Sequence, residues 1–127
     1  MPLVRVDAPD SRSAEDLAAI GDGVHRALVE AIGIPKQDRF QVLSRHAAGG
    51  LVFDRHYLGI SRSDGVVFVQ ITMSLGRSVE QKKAFYKRLV EDMNTQLNVR
   101  PQDVVINLVE VAKENWSYGG GIAQYVT

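Results

Sequence analysis

The chain has 127 residues, with 15 Lys and Arg against 15 Asp and Glu, and so no formal net charge. Apolar residues make up 45% and charged residues 24%, the composition of one ordinary globular domain. That balance argues against a protein built to bind nucleic acid or an acidic membrane, and the absence of cysteine excludes disulfides, zinc–thiolate sites and a thiol nucleophile and fits a cytoplasmic protein.

In chain order, Leu3-Val4-Arg5-Val6 reads as a short strand and Pro9-Asp10-Ser11 as a break. The charges at Arg5 and Asp7 leave no room for a secretory apolar core, and no later run reaches the roughly 18 apolar residues of a membrane span. Ser13, three residues before Asp16, has the form of a helix N-cap with acid in the first turn. Leu17, Ile20, Val24, Leu28 and Ile32 recur at helical spacing, and Gly33 is the stop signal. Pro35-Lys36-Gln37-Asp38 is a turn and Phe40-Gln41-Val42-Leu43 a strand candidate. The connecting segment 44–63 contains Gly49-Gly50 and a candidate short strand, Leu51-Val52-Phe53.

The same order then recurs. Val66 to Met73 is rich in β-branched residues, as a buried strand requires. Ser78 caps a second helix with Glu80 in its first turn, and Val79, Phe85, Leu89, Val90, Met93 and Leu97 form its apolar face. Arg100-Pro101-Gln102-Asp103 is the turn before the last long strand, Val104 to Val111. The tail from Glu114 mixes Trp116, Tyr118 and Tyr125 with Gly119-Gly120-Gly121, which suggests a hairpin or a flap.

Sliding the chain against itself by 65 residues superposes the two halves without gaps, with eight identities in 42 pairs. Chance would give about two or three at average residue usage. Val4 falls on Val69, Arg12 on Arg77, Ser13 on Ser78 and Asp38 on Asp103. The chain is therefore expected to be a single α+β domain, a tandem β-α-β repeat (about residues 2–46 and 67–111), with right-handed crossovers. A pseudo-two-fold axis between the units predicts a four-stranded mixed sheet with two helices on one face. The other face carries apolar residues, so an oligomer is expected.

Candidate chemistry is sparse. His25, His46 and His56 show no metal-ligand spacing, and no Gly-x-Ser-x-Gly elbow occurs. Pro2 stands out. Removal of Met1 would start the chain on a proline, whose nitrogen is then a secondary amine that titrates near neutrality rather than an amide. The plainer reading is that proline starts a strand. Arg77 precedes a helix N-terminus, where a guanidinium and free backbone N–H groups together can hold a carboxylate. Asp38 and Asp103 each follow a proline-containing turn and read more simply as Asx-turn or strand-start residues.

The amino-terminal Pro2-Leu3-Val4-Arg5-Val6, followed by a duplicated β-α-β unit, resembles the tautomerase superfamily. Gly76-Arg77-Ser78-Val79-Glu80-Gln81-Lys82 is similar to the segment of 4-oxalocrotonate tautomerase whose arginine binds substrate carboxylate. Ile34-Pro35-Lys36-Gln37-Asp38-Arg39-Phe40-Gln41 and Asn115-Trp116-Ser117-Tyr118-Gly119 resemble the malonate semialdehyde decarboxylases within that superfamily. The resemblance implies a homotrimer that needs no cofactor and no metal and acts on small oxo acids. It implies Pro2 as catalytic amine, Asp38 as its partner or water activator, and Arg77 as carboxylate anchor. Trp116 and Tyr118 would line the pocket, with Arg12 and Arg39 as further substrate-binding candidates. The implied activity is decarboxylation of a 3-oxo acid, with hydratase and tautomerase activities beside it. The alternatives are a 2-oxo acid tautomerase of the phenylpyruvate type and a non-catalytic interaction protein of the same fold.

Overall fold

The computed structural model describes residues 2–126. Four strands, β1 (Leu3–Pro9), β2 (Phe40–His46), β3 (Val67–Ser74) and β4 (Val104–Val111), and two helices, α1 (Ala14–Ala27) and α2 (Val79–Leu97), make up the fold. The sheet order is β2-β1-β3-β4. β1 pairs with β2 in parallel and β3 with β4 in parallel, while β1 and β3 meet antiparallel at the centre. This is the expected mixed sheet of two β-α-β units related by an internal two-fold.

Helix α1 begins at Ser13, whose Oγ accepts from the Asp16 backbone N–H at 3.0 Å. A π-helical turn, Leu28–Ile32, extends it, and Gly33 ends it at φ 82°, a left-handed conformation that favours glycine. In α2, Ser78 and Gln81 form a reciprocal capping box. The helices pack on each other and on one sheet face, through Val4, Val6 and Ala8 of β1 and Val67, Val69, Ile71 and Met73 of β3. The alternation of these positions, with Leu17, Ile20, Val24, Phe85, Leu89 and Met93 supplied at helical spacing, is what buries one face and leaves the other open. On the open face Leu3, Phe40, Val42 and Val109 are exposed.

Residues 51–53 form no strand, contrary to the expectation from their apolar run. Val52 is 87% exposed, and no sheet edge accepts the segment. The tail likewise has no strand among the described residues: a 3-10 turn (Lys113–Asn115) leads into an extended stretch and then a turn at Gly119–Gly121.

The two ends of the sheet differ. At the C-terminal end of β1, Arg12 donates through Nη2 and Nε to the Gly65 carbonyl at 2.7 and 3.3 Å. Asp103, 1% exposed, accepts there from the Ser63 backbone N–H at 2.8 Å, Ser63 Oγ at 2.5 Å and Arg100 at 3.3 Å. A Cβ at Gly65 would lie 2.9 Å from Arg12 Nη2, so a side chain there would displace the guanidinium. The segment entering β3 thus fills this end.

Candidate active site

The opposite end of the sheet is arranged from the same repeat positions and is not filled. The register Leu3↔Phe40 sets residues 38 and 39 beside residue 2, and Leu3↔Thr72 brings the end of β3 to the same place. Three residues past β3 comes Arg77, immediately before the α2 N-cap. Pro2, Leu3, Phe40, Trp116, Ser117 and Tyr118 line a cavity of about 230 Å³. Pro2, Trp116 and Tyr118 from the sequence reading therefore converge. Phe40 is an addition; strand alternation two residues beyond Asp38 could have signalled it.

Asp38 is 5% exposed, and neither carboxylate oxygen has a hydrogen-bond partner among the described residues. Its repeat mate Asp103, by contrast, is fully engaged. Burial raises the Asp38 carboxyl above its ordinary value, and the positive charges of His25 and Arg77 partly oppose this. Arg77 is half-buried and forms no ion pair among the described residues. Its charge reaches Asp38 nonetheless.

The wall of the cavity is aromatic. Trp116 and Tyr118 stack with ring centres 5.2 Å apart and planes at 12°. Phe40 lies 5.4 Å from Tyr118, and Tyr125 meets Tyr118 edge-on at 5.6 Å. Trp116 Nε1–H donates to Ser74 Oγ at 3.1 Å, which ties the tail to the end of β3. The Tyr118 hydroxyl is buried without a partner among the described residues. Burial, followed by Tyr125 and Asp38, pushes its pKa up, so it stays a protonated phenol.

Two expected contributors are elsewhere. Arg12 lies at the far end of β1, bound to the Gly65 carbonyl and away from Pro2. Arg39 points to α1 and donates to Asp22 at 2.7 Å and Gln41 at 3.0 Å, because its parity along the strand is opposite to that of Phe40. His46 Nε2 lies 2.6 Å from Asp7 Oδ1 on the open face, and His56 sits in the connecting segment, both away from Pro2. Among the described residues no three His, Asp or Glu side chains gather to hold a metal ion, and no helix is long and apolar enough to cross a membrane.

Two family models, each described as a tautomerase enzyme, match residues 2–61 and 38–119. YusQ, a probable tautomerase of Bacillus subtilis (strain 168), is 32% identical over 126 residues, spanning 99% of each chain. The crystal structure of a malonate semialdehyde decarboxylase inhibited by 3-bromopropiolate superposes with a TM-score of 0.90 at 38% identity, over 97% of this chain and 93% of that one. A second malonate semialdehyde decarboxylase, described for its decarboxylase and hydratase activities, superposes at 0.88 and 36% identity, over 97% and 95% of the two chains.

Proposed function

The chain belongs to the tautomerase family, and from that premise we propose that it is a cofactor-independent decarboxylase of short 3-oxo acids such as malonate semialdehyde, working through the amino nitrogen of Pro2 once Met1 is removed. The observation that carries this reading is Asp38: a buried carboxyl with no partner among the described residues, set beside residue 2 by the strand register. Leaving such a group unpaired costs about 1–3 kcal/mol. A cationic secondary amine at Pro2 supplies the missing partner, and Asp38 in turn holds that amine protonated.

Arg77 then anchors the substrate carboxylate, and the Pro2 N–H faces the carbonyl oxygen. The bond between the carboxylate carbon and C2 breaks, carbon dioxide leaves, and the electron pair passes into an enolate. Its oxygen is stabilised by the hydrogen bond from Pro2. A proton taken from water at C2 gives the aldehyde, and the hydroxide left behind combines with the carbon dioxide as bicarbonate. The same groups would add water to an acetylenic acid, with Asp38 orienting the water.

A second reading is favoured by the aromatic wall of Phe40, Trp116 and Tyr118. Those rings suit an aryl 2-oxo acid such as phenylpyruvate, whose enol–keto exchange needs a neutral Pro2 as base. The exposed Leu3, Phe40, Val42 and Val109 on the open sheet face support a homotrimer, to be checked by the solution mass.

Incubation of wild type and Pro2→Ala with a panel of 3-oxo and 2-oxo acids, followed by proton NMR, tests the proposal. Loss of carbon dioxide from malonate semialdehyde, abolished in the variant and declining as Pro2 deprotonates, supports it. A rate that rises as Pro2 deprotonates, seen only with 2-oxo acids, favours the second reading. No turnover of any acid, or an intact mass that retains Met1, defeats both.

A further inference from the structure

The buried side-chain oxygens left without a hydrogen-bond partner among the described residues are Asp38 Oδ1, Asp38 Oδ2 and the Tyr118 hydroxyl. All belong to the Pro2 end of the sheet. Asp38 is accounted for by the amine; Tyr118 is not. Its ring cannot swing away to find water. It is stacked on Trp116, flanked by Phe40 and met edge-on by Tyr125. Trp116 is itself pinned to Ser74. The Tyr118 backbone N–H donates to Gln124 Oε1 at 2.9 Å, and Gln124 Nε2 donates to Gly119 O at 2.8 Å, so the main chain is clamped on both sides of the residue. A phenylalanine would satisfy the same stack without burying a polar atom. A group that is expensive to bury, rigidly held and adjacent to the reacting end of a cavity is a donor waiting for an acceptor.

We propose that Tyr118 is a catalytic residue that donates a hydrogen bond from its hydroxyl to the substrate's carbonyl oxygen, the second donor there beside the Pro2 amine. The inference rests on the reading of Pro2 as the reacting amine. When the carboxylate carbon departs, negative charge grows on the carbonyl oxygen and both hydrogen bonds strengthen. Tyr118 keeps its proton throughout; the proton that completes the aldehyde goes to C2. Because burial holds the phenol protonated, this donor is present over the whole working pH range. The same oxygen carries charge in the enol of a 2-oxo acid, so Tyr118 serves either chemistry.

The test is Tyr118→Phe, which keeps the ring and removes one oxygen. Malonate semialdehyde decarboxylation and phenylpyruvate tautomerisation are measured on the same samples as wild type, with melting temperature alongside. We expect kcat to fall about a hundredfold to a thousandfold, the range for losing one oxyanion donor, with KM within about threefold and a melting temperature equal to or above wild type. If kcat stays within about twofold while wild type is active, Tyr118 is only a wall residue and the inference is overturned. If wild type tautomerises but does not decarboxylate, the decarboxylase reading falls and Tyr118 is judged on the tautomerase rate. Wild type inert toward both overturns both.

Discussion

Trp116 and Ser74, 42 residues apart, are joined by a 3.1 Å hydrogen bond that fixes the tail against the end of β3. Ser74 is 5% exposed, so the bond is shielded from water. Everything the tail adds to the cavity hangs from this contact, because Tyr118 is stacked on the same indole. Ser74→Ala removes the acceptor and leaves the indole N–H unpaired. The expected cost is about 1 kcal/mol, with faster amide exchange over 116–126 than in wild type and a higher KM. Unchanged exchange in that segment would show that the tail is held by its rings alone.

Arg77 and Arg12 occupy one repeat position and should respond oppositely to alanine. If Arg77 anchors the substrate carboxylate as proposed, Arg77→Ala removes a charge-assisted contact of about 1.5–3 kcal/mol. The result should be a ten- to hundredfold lower kcat/KM at wild-type stability. Arg12→Ala leaves the Gly65 carbonyl without its donor, and about 1–2 kcal/mol of stability should go with it. Kinetic constants of that variant, measured well below its melting temperature, should match wild type.

Asp38 sets a pH dependence whose sign follows from burial. The folded chain raises this carboxyl above its ordinary 3.8, so it holds the proton more tightly than the unfolded chain does. The resulting stabilisation is complete below the unfolded pKa and is lost as pH rises through the folded value. Asp38→Asn abolishes this linkage, so its melting temperature should gain on that of wild type as pH rises through the folded value. Activity should drop roughly a hundredfold in the same variant.

Asp103→Asn is the mirror experiment. Asp103 accepts three hydrogen bonds at 1% exposure, and the amide cannot accept all of them at both oxygen positions. About 2–3 kcal/mol of stability should be lost, a fall of roughly 8–12 °C in melting temperature. The catalytic constants of the folded fraction should not move.

The repeat made the architecture readable. Val4 on Val69 and Ser13 on Ser78 align two strands and two caps, and the alternation around Val4, Val6 and Ala8 identifies the buried face. Pro2, Trp116 and Tyr118, which the resemblance assigns to one pocket, line a common cavity. Three things were hidden. Asp38 and Asp103 look alike in one dimension, and only the position of Ser63 separates an orphaned carboxyl from a saturated one. Arg12 and Arg77 share a similar local sequence, but the chain at Gly65 reaches only the first. Leu51-Val52-Phe53 has a strand's composition, yet a strand also needs an edge to join, and that is a property of the whole sheet.

A polypeptide has a single amino end, so a tandem of two β-α-β units can offer a terminal nitrogen to one of them alone. In the other, residues 63–65 run through the matching space as uninterrupted backbone and tie up Arg12 and Asp103. On the proposed reading of Pro2, the fold is two-fold in shape and one-fold in reactivity. An irreversible inactivator should saturate at one equivalent per polypeptide, half the number of units. The other half would then contribute by holding the sheet together, through the contacts of Arg12 and Asp103.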